Sequence, residues 1–182
     1  MSLSIRTETR QERHDKKANK AVSLPFDFAA SYFNNDGNVA FLSRSLACFG
    51  GRTMHIIGRM PNSHELSRLS GTASRLVKWE TYKNPFEFIE KTINSGYKLV
   101  CAEMTDNAVS SEEYNWDFNA KTIIILGNET EGVPYEIIKY SDVVYIPMIG
   151  KAWNLNTAMA GNVLAYNYAM KYMAQERNKG NK

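Results

Sequence analysis

The tightest constraint on this chain's fold is an aliphatic run that halts in a glycine loop. Residues 122–132 read TIIILGNETEG: four consecutive aliphatic side chains stop at Gly127-Asn128-Glu129, and a second glycine follows at Gly132. Residues 146–164 read IPMIGKAWNLNTAMAGNVL, which is a strand end, a glycine loop and an Asn-rich helix entry. A short unbroken aliphatic run suits a strand buried on both faces. Two such loops, each at the C-terminal end of a parallel strand, make a place to bind a ligand.

The rest of the chain supplies alternating elements. The pattern predicts a strand over 27–33, turn chemistry at Asn34-Asn35-Asp36-Gly37, and a helix over 39–49 with Asn38 as its N-cap. Val39, Leu42, Leu46 and Phe49 share one face of that helix and Arg44 lies opposite. Gly50-Gly51 ends it, and a strand over 53–57 follows. Residues 60–82 carry Arg68, Arg75 and Lys78 beside Trp79 and Tyr82 without a clean period. Asn84-Pro85 opens a helix with Phe86, Ile89 and Ile93 as its expected buried stripe, closed by Gly96. A strand over 98–102, a polar loop over 104–119, the strand 122–126, a short helix after Pro134 and a strand over 142–147 complete the series. The final helix is expected from about Leu155 to Ala174. Its stripe of Leu155, Met159, Val163, Tyr166, Met170 and Met173 belongs to the core or to a subunit interface. Strands alternating with helices mean an α/β fold, a mostly parallel sheet flanked by helices. We expect one domain over 25–174, a basic extension over 1–24 before it and a basic tail over 175–182 after it.

A chain of 182 residues with 43% hydrophobic content can bury a full core, which excludes a disordered protein. The net charge of +3 demands no polyanion. Both ends are nevertheless basic, with Arg6, Arg10, Arg13, Lys16, Lys17 and Lys20 at one and Lys171, Arg177, Lys179 and Lys182 at the other. They suit a polyanion or serve as solvated tails. Cys48 and Cys101 are expected to be buried, inert thiols. The first residues lack an apolar signal core and no run of about eighteen apolar residues occurs, so a soluble, cytoplasmic protein without a membrane partner is expected. His14, His55 and His64 have no ligand spacing, and no metal is expected.

Three segments carry a family likeness. Asn35-Asp36-Gly37-Asn38-Val39-Ala40-Phe41-Leu42-Ser43-Arg44-Ser45 is similar to a first motif built on an Asn and an Arg-Thr pair. Leu126-Gly127-Asn128-Glu129-Thr130-Glu131-Gly132-Val133 is similar to a Gly-x-Glu-x-x-Gly motif. Ile146-Pro147-Met148 through Gly150 to Asn154-Leu155-Asn156 is similar to a third motif in which Ser-Leu-Asn is usual. In this order, over roughly residues 25–170, the chain resembles the SpoU, or TrmH-like, branch of the SPOUT RNA methyltransferases. The resemblance implies a deep C-terminal trefoil knot, a homodimer with each site close to the partner subunit, and S-adenosylmethionine held in a bent shape. It further implies transfer of a methyl group to a ribose 2′-hydroxyl of RNA.

The same resemblance distributes the roles. Arg44, Asn38, Glu129 and Asn156 become the candidate catalytic set. An arginine is always protonated, so Arg44 is expected to grip phosphate and stabilise a developing alkoxide rather than act as a base. Glu129 fixes its loop or meets Arg44, and Asn156 braces the third motif. The cofactor would lie among Glu103, Met104 and Thr105, then Leu126, Gly127, Asn128 and Gly132, then Ile146, Met148, Asn154 and Leu155. Gly127 and Gly132 would let backbone approach it. Ala40 stands where glycine is common, Ser45 where threonine is, and Asn154 where serine is.

About 24 residues precede the motif-bearing body, which favours tRNA over rRNA as substrate. Trp79, Tyr82 and above all Trp153 are the aromatics available to stack on an unpaired base, with Trp79 expected to be partly core. The alternatives are an rRNA 2′-O-methyltransferase, a methyltransferase for another substrate, or an RNA-binding protein that keeps the fold without turnover. A dinucleotide oxidoreductase is disfavoured, because no Gly-x-Gly-x-x-Gly follows a predicted strand.

Overall fold

A computed structural model describes residues 8–152 and 154–180. Seven strands, β1 (Phe26–Ser31), β2 (Thr53–Ile57), β3 (Lys78–Tyr82), β4 (Tyr97–Ala102), β5 (Val109–Ser110), β6 (Lys121–Leu126) and β7 (Asp142–Tyr145), form one sheet in the order β3-β2-β1-β6-β4-β7-β5. Every pairing is parallel. The helices are α1 (Arg10–Ala18), α2 (Asp36–Cys48), α3 (Ser63–Ser70), α4 (Pro85–Asn94), α5 (Tyr135–Ile138) and α6 (Thr157–Gly180). The unbroken aliphatic run is explained by its place. β6 is central, so Ile124 and Leu126 enter the core with Leu42, Leu46 and Leu164 of α2 and α6, while Ile123 and Ile125 pack with Phe88 and Ile137 of α4 and α5. From β4 the chain continues through β5 to β6, which lies between β4 and β1, and then to β7 on the other side of β4, which brings the loops around Met104, Gly127 and Ile146 to the same end of the sheet.

α2 and α6 lie side by side and run in the same direction. Ser45 Oγ donates to Asn162 Oδ1 at 3.0 Å, and further along the rings of Phe49 and Tyr166 meet edge to face at 6.1 Å. α2 is capped by Asn35, whose side chain accepts from the Gly37 amide, and not by Asn38 as its position suggested. Asn38 falls inside the first turn, buried, and turns toward the sheet loops. The expected face of Val39, Leu42 and Leu46 is buried, Phe49 is half-buried, and Arg44 is exposed.

Other expectations need correction. On α4 the buried residues are Phe88, Ile89 and Thr92, whereas Phe86 is 67% exposed and Ile93 lies outside the core. On α6 the core is reached by Ala158, Leu164, Ala165 and Tyr168. The stripe of Leu155, Met159, Val163, Tyr166 and Met173 is exposed, with Met170 half-buried, so it is not core. α6 starts after Leu155 and Asn156 and continues past Ala174. Residues 104–119 include the edge strand β5 and bury Tyr114 and Trp116. Cys48 is exposed, while Cys101 is buried and its thiol is pushed up to about 12 by that burial. Tyr82 is buried and cannot stack on a base. Trp79 is half-buried and donates to the Ser74 carbonyl at 2.9 Å. Trp153 lies outside the described residues, as do Arg6 and Lys182.

Under α4 sits a buried polar cluster. Asp27 Oδ1 accepts the Thr53 amide at 2.8 Å, and Oδ2 accepts the Tyr97 hydroxyl at 2.9 Å. The His55 ring stands 3.5 Å from Asp27 on one side and 2.9 Å from the Tyr82 hydroxyl on the other. Burial opposes ionisation of Asp27, but His55, the Thr53 amide and the Tyr97 hydroxyl outweigh it and hold the carboxyl below its ordinary range.

Candidate active site

The C-terminal ends of β4, β6 and β7 open on one cleft with two compartments. The smaller, about 150 Å³, is walled by Met104, Val144, Ile146, Met148, Leu155 and Ala160. The larger, about 410 Å³, is lined by Leu126, Gly127, Asn128, Glu129, Gly132 and Asn156. Glu103, Asn154 and Leu155 line both. The larger volume falls in the range of about 300–1,000 Å³ that small-molecule sites occupy.

The second-motif loop is a tight closed turn. Asn128 and Gly132 exchange two backbone hydrogen bonds of 3.0 Å each. A Cβ on Gly127 would sit 2.1 Å from the backbone of Gly132. Gly132 has a φ of +72°, and a Cβ there would fall 2.4 Å from Glu103 Oε2. These glycines therefore make room for the protein's own chain, where the expectation was room for a ligand. Glu103 uses that space to accept the Val133 amide at 3.1 Å and, through its other oxygen, the Met104 amide at 3.0 Å.

One hydrogen-bonded chain joins all three motifs at the rim. Asn38 Nδ2 donates to Glu129 Oε1 at 2.6 Å, and Asn156 Nδ2 donates to Asn38 Oδ1 at 3.1 Å. Glu129 Oε2 also accepts the Asn34 amide at 3.0 Å. Asn156 Oδ1 accepts the Ala158 amide at 2.9 Å, so the same residue caps α6. Partial burial opposes ionisation of Glu129, but the Asn34 amide, the Asn38 carboxamide and the Asn35 amide prevail and keep its carboxyl below the usual range. Thr157 Oγ1 donates to the Gly127 carbonyl at 3.0 Å, a link the motif spacing alone did not single out.

Of the expected site residues, Asn38, Glu129 and Asn156 meet directly. Glu103, Met104, Leu126, Gly127, Asn128, Gly132, Ile146, Met148, Asn154 and Leu155 line the cleft. Two residues stand apart. Thr105 lines a separate groove with Val109, Tyr114 and Tyr135. Arg44 is exposed on α2 and pairs with no carboxylate among the described residues. It lies six residues beyond Asn38, about 9 Å along the helix at about 1.5 Å per residue. It does not meet Glu129.

Among the described residues neither compartment is lined by Lys, Arg or His, while Glu103 and Glu129 supply two carboxylates. The cleft thus suits a ligand with an apolar ring system at one end and positive charge at the other. No group of three or more metal-ligating side chains occurs among the described residues.

This geometry has counterparts in known proteins. Residues 28–166 match the model of the SpoU rRNA Methylase family, which is most of the chain. The chain belongs to the SpoU methylase family. Over 93 residues it is 31% identical to the tRNA (guanosine(18)-2′-O)-methyltransferase of Aquifex aeolicus, covering 49% of this chain and 43% of that one. A crystal structure of the A. aeolicus TrmH/SpoU tRNA modifying enzyme shares the fold with a TM-score of 0.75 at 20% identity, covering 91% of this chain and 85% of that one. The AdoMet-bound rRNA methyltransferase from Sinorhizobium meliloti superposes with a TM-score of 0.74 at 19% identity, over 84% and 61% of the two chains. This SpoU-family chain spans about half the length of the curated relatives it matches.

Proposed function

We propose that this SpoU-family chain binds S-adenosylmethionine in the cleft and methylates a ribose 2′-hydroxyl of RNA, with tRNA as the favoured substrate. The observation that carries the proposal is the Glu129–Asn38–Asn156 chain, which ties three separate motifs to the rim of a cleft that no cationic side chain lines among the described residues. When bound, the cofactor would supply a sulfonium methyl group: the 2′-oxygen would attack that carbon in line, the O–C bond forming as the C–S bond breaks, with S-adenosylhomocysteine as the leaving group and the hydroxyl proton passing to water. Met104, Ile146, Met148 and Leu155 form the apolar wall for the adenine, and Glu103 and Glu129 offset the positive charge. Glu129 is held as an anion by fixed donors, which makes it a positioning residue and not the proton acceptor. Arg44 presents a guanidinium with no carboxylate partner among the described residues, for a phosphate and for the charge developing on the attacking oxygen.

A second copy of this chain belongs on the exposed face of α2 and α6. Phe41, Met159, Val163 and Tyr166 are exposed there, and Arg44 stands on the same side of α2 as Phe41. A dimer through this face would complete each site with groups from both protomers, in keeping with an Arg44 that lies outside its own cleft.

Tritiated S-adenosylmethionine incubated with the protein and total tRNA, with rRNA in parallel, tests the proposal. Label in RNA that nucleoside analysis assigns to a 2′-O-methyl ribose supports it. Intact cofactor binding with no label in either RNA leaves the non-catalytic binder as the better reading. Arg44→Ala is expected to keep cofactor affinity within twofold and to lower transfer at least 100-fold. Unchanged transfer removes Arg44 from the mechanism.

A further inference from the structure

We propose that the pocket adjoining the cleft across Asn128 and Thr130 is a nucleobase subsite, in which Tyr32 stacks an unpaired base of the RNA beside the ribose being methylated. The inference rests on the RNA methyl-transfer reading above. The pocket has a volume of about 630 Å³, and Asn128 and Thr130 line both it and the cleft. Tyr32, Phe33, Asn34 and Arg59 form its remaining wall, with Glu131 also present.

Tyr32 is the decisive residue. It alone among the described non-glycine residues has a positive φ, +52°. A bulky side chain in that region is strained and persists only where its surroundings hold it. Here they do. The Tyr32 amide donates to the Ile57 carbonyl at 2.9 Å, and the Tyr32 carbonyl accepts the Asn128 carboxamide at 2.6 Å. The ring rests on Gly58, where a Cβ would come within 2.7 Å of ring atom Cδ1. Yet the residue is 41% exposed. Strain kept for packing would bury the ring, whereas this ring is fixed on one side and open on the other. The residue that fixes it belongs to the second motif.

The other groups favour a base over a phosphate. The Arg59 guanidinium is held by both oxygens of Asp36, at 2.5 and 3.4 Å, and its side chain is 63% exposed. Already paired, and sharing the pocket with Glu131, it serves as a planar ledge better than as an anion hook. The Asn34 carboxamide makes no hydrogen bond among the described residues, so it offers a donor and an acceptor to a base edge. An aromatic platform, a guanidinium plane and a free amide are the means by which single-stranded bases are recognised.

Tyr32→Asn removes the ring and installs a residue that tolerates positive φ, while Tyr32→Phe keeps the ring. The full chain and both variants, checked by thermal melting, would be titrated with a single-stranded RNA containing 2-aminopurine, and KM and kcat for RNA measured in parallel. Tyr32→Asn is expected to weaken oligonucleotide binding and raise KM for RNA about tenfold, with S-adenosylmethionine affinity unchanged. Tyr32→Phe should behave as the native chain. Values for Tyr32→Asn within twofold of native, or a Tyr32→Phe variant as weak as Tyr32→Asn, overturn the subsite. Ring-dependent fluorescence quenching without methyl transfer to any RNA would sink the transfer reading and leave the subsite standing. Transfer without ring-dependent quenching would do the reverse. If Tyr32→Asn fails to fold, Arg59→Gln is the second probe: a threefold or greater loss of oligonucleotide affinity supports the subsite, and unchanged affinity overturns it.

Discussion

At Gly132 the absence of one methyl group keeps two parts of the site together. Its φ of +72° suits glycine, and the space a side chain would fill is taken by the Glu103 carboxylate. Gly132→Ala should push Glu103 off the Val133 amide and strain the loop, costing about 2 kcal/mol. A lower urea midpoint with weaker S-adenosylmethionine binding by calorimetry is the expected outcome, and an unchanged midpoint would contradict it. The residue types of the site were legible in the sequence because motif spacing marks loops that must turn sharply. Their partners were not. Asn35 and Asn38 both stand where a helix cap could be, and local sequence cannot tell which one caps. The choice is made by Glu129, 91 residues away from Asn38 in the chain. Thr105 shows the opposite error: it is adjacent in sequence to two cleft residues, yet the chain has already turned into another groove.

At the scale of the element, α4 shows why periodicity locates a helix better than it orients one. Phe86, Ile89 and Ile93 make as good a stripe as Phe88, Ile89 and Thr92, and both lie on the segment opened by Asn84 and Pro85. Tertiary packing decides, since the Phe88 ring meets Tyr82 edge to face at 5.2 Å. Phe88→Ala should therefore cost about 3–5 kcal/mol in urea unfolding, and Phe86→Ala under about 0.5 kcal/mol. Equal losses would mean that the helix is rotated. α6 repeats the ambiguity, because one apolar stripe faces α2 and β6 while the other lies open. If the open stripe is the subunit contact, Tyr166→Lys should shift the protein to monomer in sedimentation and lower transfer with it. A native chain that already sediments as a monomer would refute the contact.

For the molecule as a whole, the class of fold was readable from alternating strands and helices, but the strand order was not, because it depends on which distant strands pair. That order places Asp27 of β1 beside His55 of β2 and Tyr97 of β4 in the buried interior. The folded pKa of Asp27 is lowered, so its stabilising contribution is full above the unfolded value of about 3.9 and disappears as pH falls through the folded value. The urea midpoint should stay level from pH 7 to about 5 and drop below about pH 4, and Asp27→Asn should lose about 2 kcal/mol near neutrality together with part of that acid sensitivity. A midpoint that rises on acidification would oppose this. The tie between Asn38 and Asn156 spans 118 residues, and β6 takes its place between β1 and β4, two strands made before it. Such long-range pairing is slow to form. On the ribosome, where synthesis advances at about 5–20 residues per second, the segment carrying Arg44 is made several seconds before its last partner emerges. A nascent chain halted short of Asn156 can hold all seven strands yet lacks the residue that closes the Glu129–Asn38–Asn156 chain, so competence waits for the start of α6 to emerge.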